Sequence, residues 1–171
     1  MSGGVLSSRP RLSYPVWIIA VAVSTLLLAG IFLTIRFEKL IIYNPTPSVQ
    51  TGFYVYDGHK YEPGSIILFK TPSIVKDYTE KYFSKAPLEH FLKPVLAKEG
   101  DHVCYKNGAF YLNGEAFAGA SKEDSAGHPL PLWQECRIMR AGEYFVFSDL
   151  VENSFDSRYY GPVPKESIIG S

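Results

Sequence analysis

A serine and a lysine are residue types that together can do acyl-transfer chemistry, and Ser48 and Lys93 are the pair to weigh here. Ser48 lies in Asn44-Pro45-Thr46-Pro47-Ser48-Val49-Gln50, shortly after a long apolar run, and Lys93 is set forty-five positions later within Phe91-Leu92-Lys93-Pro94-Val95-Leu96. A serine hydroxyl is a weak nucleophile at neutral pH and must lose its proton to a nearby base as it attacks. A lysine serves as that base only when neutral, so its ordinary pKa near ~10.4 must fall by several units. Burial among apolar groups does this by disfavouring the ammonium form. Phe91, Leu92, Pro94, Val95 and Leu96 offer such surroundings, and a depressed Lys93 pKa is therefore expected. Taken singly, Ser48 is one of many serines whose ordinary role is a satisfied polar surface group.

The remaining chemistry-bearing residues point elsewhere. Cys104 and Cys136 are the two cysteines, and in a compartment that tolerates disulfides they are a candidate bridge between segments about thirty residues apart. Two buried free thiols are the alternative, and metal binding fits poorly because the spacing matches none of the close-pair zinc patterns. No metal or other cofactor is expected. With 17 basic and 17 acidic residues the net charge is zero, and no basic stripe with interleaved aromatics is present, so nucleic acid is not an expected partner.

The elements that must position these residues are legible in outline. The two prolines flanking Thr46 fix backbone dihedrals and forbid a helix there. Residues Gly52 to Tyr56, Ser65 to Lys70, Phe91 to Leu96, His102 to Tyr105, Ala109 to Leu112, Cys136 to Met139 and Glu143 to Phe147 have strand character. Asp57-Gly58 and Pro63-Gly64 punctuate them as turns, and Asn107-Gly108 and Asn113-Gly114 signal tight hairpins because Asn and Gly accept positive φ. Between Ser73 and Phe91 the pattern changes: Ile74, Tyr78 and Tyr82 recur at helical spacing, with Ser73 as cap and Pro87 as terminator. Ala118 to Trp133 reads as a long surface loop. The tail from Tyr160 to Pro164 is rigid and leads to an apolar ending that can pair as a last strand. The expectation is a mainly β, antiparallel domain of many short strands, and 171 residues leave no room for a second full domain.

Ahead of that domain, Val16 to Ile35 carry no charge, enough at ~1.5 Å per residue to cross a hydrocarbon core of roughly 30 Å. A cleaved secretory signal is the alternative, but its apolar region is typically about 7 to 15 residues. Residues 1–14 are expected as a tail, 15–36 as a transmembrane anchor and 37–171 as the folded domain. The basic residues tie, Arg9 and Arg11 against Arg36 and Lys39. The free amino terminus and the shortness of the leading segment place that side in the cytoplasm and the domain on the far side.

The pattern Asn44-x-Thr46-x-Ser48-x-x-x-Gly52-x-Tyr54 directly after an anchor resembles the nucleophile box of the signal peptidase I family, and most of all its conjugative-transfer, TraF-type subgroup. Lys93 to Asp101 is similar to the lysine box, in which the catalytic lysine stands eight residues before the Asp of a Gly-Asp pair. Asn153-Ser154-Phe155-Asp156-Ser157-Arg158, running on to Gly161, Val163 and Pro164, is similar to the family's Ser-x-Asp-Ser-Arg-x-x-Gly-x-Val-Pro block. Asn113-Gly114, Pro129-Leu130-Pro131, Cys136-Arg137 and Gly142-Glu143 look like the subgroup's own pattern.

The resemblance implies a signal-peptidase-like β fold and a Ser48/Lys93 dyad with Asp156 in the catalytic group. It implies an oxyanion hole from the Ser48 N–H and the Thr46 hydroxyl; a loop threonine bonding locally is the ordinary alternative for Thr46. Ser154 would position Lys93, with Arg158 paired to Asp156. The implied substrate is an exported precursor protein, and a conjugative pilin in the subgroup, cut or cyclised by an enzyme held in the inner-membrane bilayer and facing the periplasm. A general leader-removing signal peptidase and a non-catalytic assembly factor are the alternatives. His59, His90, His102 and His128 are scattered, and a histidine triad would leave the lysine box without a purpose. Lys98 competes with Lys93, but it occupies an apolar position of the family and its neighbour Glu99 suggests a solvated ion pair. Val49 stands where most members have methionine, Pro94 where many have arginine, and Ser148-Asp149-Leu150-Val151 replaces a Gly-Asp-Asn-Arg block. These departures concern the general secretory role more than the dyad.

Overall fold

The computed structural model describes residues 15–38, 41–56, 61–83 and 89–171. Arg9, Arg11, Lys39, the Asp57-Gly58 turn, His59 and the Pro87 terminator lie outside the described residues. Two units separate, residues 1–40 and residues 41–171.

The first unit contains helix α1 (Val16–Glu38). Its run from Val16 to Leu33 is long and apolar enough to cross a membrane. The side chains of residues 15–33 are all exposed. Two of the helix's polar side chains are satisfied internally, Ser24 Oγ and Thr25 Oγ1 donating to the Val21 carbonyl at 2.9 and 2.5 Å. Internal satisfaction is what an apolar solvent demands of a spanning helix.

The second unit is built almost wholly of antiparallel strands. β1 (Ile41–Asn44) and β2 (Gly52–Val55) form a two-stranded sheet that carries the Asn44 to Gln50 segment as its loop. β3 (Ile66–Lys70) is followed by a 3₁₀ turn and α2 (Lys76–Tyr82), then by β4 (His90–Ala97). β5 (His102–Lys106), β6 (Ala109–Leu112), β7 (Glu115–Gly119), β8 (Cys136–Ile138), β9 (Glu143–Val146), α3 (Ser157–Tyr160), β10 (Val163–Pro164) and β11 (Ile168–Gly170) complete the order. A five-stranded sheet runs β10-β9-β4-β3-β11 and a four-stranded one β7-β6-β5-β8. Asn107 and Asn113 adopt φ of 53° and 51°, each followed by a glycine with positive φ, as their two hairpins require.

Each larger sheet has its own apolar core. Ile67, Phe69, Phe91, Val95 and Val146 pack with Phe155, Tyr159 and Tyr160 in one, and Ala97, Val103, Phe110, Met139 and Phe145 form the other. β4 links them, with Phe91, Lys93, Val95 and Ala97 buried in strict alternation. That period of two is the ordinary rule for a strand with one covered face, and it puts Lys93 on the core side, opposite fully buried Ile67 in the β3 register.

Several elements differ from expectation. The helix after β3 is a short α-helix that ends at Tyr82, because Phe83 is already extended. Ser73 makes no side-chain cap; it opens the 3₁₀ turn Ser73–Val75. Ile74 is 75% exposed, and the buried residues of this region are Val75 and Thr79, one position along from the expected face. The long loop begins after Gly119, since Ala118 still pairs with Phe110 in β7. β1, β7 and β10 were not foreseen: β1 is four residues long, β7 is poor in β-branched residues, and β10 is two residues long with a proline.

Candidate active site

Asn44, the last residue of β1, is 5% exposed and organises the loop that follows. Its Oδ1 accepts from the Thr46 N–H at 3.2 Å and the Thr46 hydroxyl at 2.7 Å. Its Nδ2 donates to the carbonyls of Thr46 at 2.7 Å and of Val49 and Gln50 at 3.3 Å each. One amide thus satisfies polar groups that a proline-fixed loop cannot pair with its own backbone. Ser48 sits inside this wrap at 5% exposure, and its Oγ is 3.4 Å from Thr46 Oγ1. Because the Thr46 proton is committed to an oxygen that only accepts, Ser48 is the donor in that contact. The Ser48 N–H has no protein acceptor among the described residues.

Lys93 reaches the same place from the sheet. Its side chain is 5% exposed, and Nζ donates to Ser154 Oγ at 3.2 Å. Burial pushes its pKa down to about 8; the negative charge of Asp156 opposes the shift and the positive charge of Arg158 adds to it. Ser48 and Lys93 line one cleft of about 640 Å³, with Asn44, Thr46, Phe91 and Ser154 among the other lining residues. Among the described residues, the Lys93 amine bonds to Ser154 and the Ser48 hydroxyl to Thr46, with no direct bond between amine and hydroxyl. Such contacts are often loose without substrate and tighten when it binds.

Asp156 is fully buried and caps α3 by accepting from the Arg158 N–H at 3.2 Å. Its two oxygens take a forked pair from Arg158, Nε at 2.8 Å and Nη2 at 3.0 Å. Arg158 also donates to the carbonyls of Gly119 at 2.8 Å and Ser154 at 3.0 Å. The fork is the geometry expected of a strong buried guanidinium–carboxylate pair. Asp156 therefore acts on Lys93 through space, while the hydrogen bond that the amine donates is accepted by Ser154.

The other candidates lie apart from this cleft or contribute differently to it. Lys98 is paired with Glu62 at 2.5 Å on the surface. His90 lines the cleft from the start of β4. His128 bonds to Asp124 at 2.9 Å, but among the described residues no serine hydroxyl bonds to His128, so no triad forms there. Cys104 and Cys136 face each other across β5 and β8 and are joined as a disulfide. Two residues of consequence lacked a reading from sequence. Asn44 stood in the nucleophile box without a role, though an Asn before a proline is a turn signal. Ser148, whose hydroxyl donates to the Ser48 carbonyl, was visible as a departure from the general block.

A family model described as "Signal peptidase, peptidase S26" matches residues 16–171. The chain belongs to that family. Plasmid transfer protein TraF from Escherichia coli is 29% identical over 136 residues, covering 74% of this chain and 77% of the relative. A second Escherichia coli TraF is 30% identical over 135 residues, covering 73% and 76%. Thylakoidal processing peptidase 1 of Arabidopsis thaliana is 33% identical over 115 residues, 67% of this chain but 32% of that longer protein. A signal peptidase I crystal structure from Enterococcus faecalis covers 66% of this chain and 96% of its own at 24% identity and a TM-score of 0.41. The three-box resemblance is thus borne out: this S26 peptidase is of the TraF type, and its family makes it a serine peptidase acting on leader-bearing proteins.

Proposed function

We propose that this S26 peptidase is a membrane-anchored endopeptidase in which Ser48 is the nucleophile and Lys93 its general base. The observation that carries the proposal is a lysine buried on the core face of β4, with its pKa lowered to about 8, in the cleft that also holds Ser48. The alternation of β4 excludes water from the amine, and an uncharged amine is the form able to take a proton.

The substrate's extended backbone would enter along β4. β9 pairs with β4 only at Val95 and Ala97, so the outer edge of His90 to Leu92 lacks a strand partner among the described residues. Such an edge accepts an added strand through main-chain hydrogen bonds. Ser48 then turns its hydroxyl from Thr46 toward the amine, Oγ attacks the scissile carbonyl carbon, and Lys93 Nζ takes the proton. The Ser48 N–H and the Thr46 hydroxyl, swung from Asn44, donate to the oxyanion. The Lys93 ammonium protonates the leaving nitrogen as the C–N bond breaks, leaving an ester on Ser48. Water attacking that ester, deprotonated by Lys93, restores the serine and releases a carboxylate. An amine of the same substrate attacking instead forms a new peptide bond and a cyclic product. Ser154 holds the amine in place, and the Asp156–Arg158 pair sets the field around it.

The relatives named plasmid transfer protein support a precursor used in plasmid transfer, a conjugative pilin in this reading; residues 1–14 would be a cytoplasmic tail, 15–36 the anchor in the inner membrane and 37–171 the periplasmic domain. Relatives named signal peptidase I, including one from Bacillus amyloliquefaciens at 30% identity, support the second reading, general leader removal. Mass spectrometry of a co-expressed pilin precursor with the wild-type chain, Ser48→Ala and Lys93→Ala tests both. Wild-type processing to a linear product or one lighter by a water, abolished by either substitution, is the expected result. Processing that persists in Ser48→Ala would make the chain an assembly factor beside another peptidase. An untouched pilin alongside cut leader peptides would favour the general role.

A further inference from the structure

The nucleophile and its base lie on different parts of the domain, so something must hold them in register. Residues 41–56 have a sheet of their own, β1 with β2, which pairs with neither of the larger sheets. The bonds made by Asn44 stay within that hairpin, as does the Tyr54 hydroxyl's bond to the Gln50 carbonyl at 2.6 Å. Among the described residues, a single hydrogen bond joins the hairpin to the rest of the chain. In it the Ser148 hydroxyl donates to the carbonyl of Ser48, one hundred positions away.

Ser148 is 1% exposed and stands just beyond β9. Its N–H donates to Asp156 Oδ2 at 3.4 Å, and its Oγ accepts from the Leu150 N–H at 3.3 Å. Asp156 grips Arg158, Arg158 donates to the Ser154 carbonyl, and the Ser154 hydroxyl receives the Lys93 amine. The nucleophile is thereby connected to the base through Ser148 and the buried ion pair. A glycine here, as in the general family block, has no side chain to make the bond.

We infer that Ser148 is a positioning residue, latching the nucleophile hairpin to the wall that carries Lys93; the inference rests on the Ser48–Lys93 reading. The hairpin is otherwise held by packing, including Val49 at 2% exposure, so it stays folded without the latch but loses registration. A misplacement of about 1 Å can lower a rate roughly 100-fold, and a loss of about 10- to 100-fold in kcat is expected for Ser148→Ala.

The test uses the full chain in detergent and the purified precursor that the wild type cleaves, with Ser48→Ala and Lys93→Ala alongside. The expected result is a kcat lowered at least about tenfold with KM within about twofold, since substrate binding at the β4 edge is untouched. Hydrogen exchange should rise in residues 44–50 while β4 keeps its protection. A Ser148→Ala kcat within twofold of wild type, with both dyad variants inactive, overturns the latch and leaves the dyad standing. Exchange rising equally in the hairpin and β4, with the rate falling only as the folded fraction does, also overturns it by making Ser148 a general stability residue. Turnover persisting in Lys93→Ala overturns the dyad and the latch together.

Discussion

Lys93→Met should abolish turnover and yet stabilise the domain at neutral pH. Burial lowers the lysine from 10.5 to about 8 in the folded chain, and the unfolded chain restores the ordinary value. Between those values the unfolded state holds the extra proton, so stability rises with pH through that window and is lowest below about pH 8, where both states carry the charge. The gap corresponds to about 3 kcal/mol at pH 7. Methionine keeps an apolar stem of similar length but forfeits the bond to Ser154, a loss of about 1 kcal/mol. The net expectation is a variant more stable by about 2 kcal/mol at pH 7, with the advantage fading as pH climbs and reversing slightly above about pH 10.5. Urea unfolding followed by Trp133 fluorescence, for both proteins from pH 6 to 10.5, measures the difference. A variant less stable at pH 7, or a difference that ignores pH, would refute a buried, desolvated amine at this position.

Other perturbations follow from the same contacts. Asp156→Asn leaves the buried Arg158 guanidinium without its counter-charge and should destabilise the domain by roughly 3–5 kcal/mol, read as a lower urea midpoint. In the surviving folded protein the pH midpoint of cleavage should move to lower pH, because the Asp156 charge raises the Lys93 value. Replacing Cys104 and Cys136 by serine opens a loop of sequence separation 32, with an expected loss of about 3 to 4 kcal/mol and unchanged kcat in the folded fraction. Asn44→Ala removes the group that fixes Thr46 and three loop carbonyls, and should lower kcat by about 100-fold with a smaller change in KM, measured by steady-state cleavage.

Much of this site was readable because its chemistry uses local pattern. The continuous apolar run around Lys93 announces apolar surroundings, and the strand's parity, seen in the structure, fixes which face the side chain enters. The Asn-Gly pairs at 107–108 and 113–114 announce their hairpins for the same local reason, a backbone conformation few residues tolerate. What stayed hidden depends on contacts remote in sequence. Asn44 gains its role by folding over its own loop, and Ser148 by meeting a carbonyl one hundred residues earlier; no spacing rule announces either contact. The helix face was displaced by one residue because the segment opens with a 3₁₀ turn, whose period differs from the 3.6 that the pattern assumed. β1 escaped because Ile41 to Asn44 is too short a run for periodicity to separate strand from helix, and only pairing with β2 does so.

The central claim is that an uncharged Lys93 takes the proton of Ser48, and the pH dependence of kcat/KM for the wild-type chain tests it most directly. The neutral fraction of an amine titrating at about 8 is roughly one tenth at pH 7 and nine tenths at pH 9. The predicted profile is a tenfold rise per pH unit that levels off with a midpoint near 8. A profile flat between about pH 6 and 10, or one still rising beyond pH 10 as an ordinary exposed lysine would give, contradicts it.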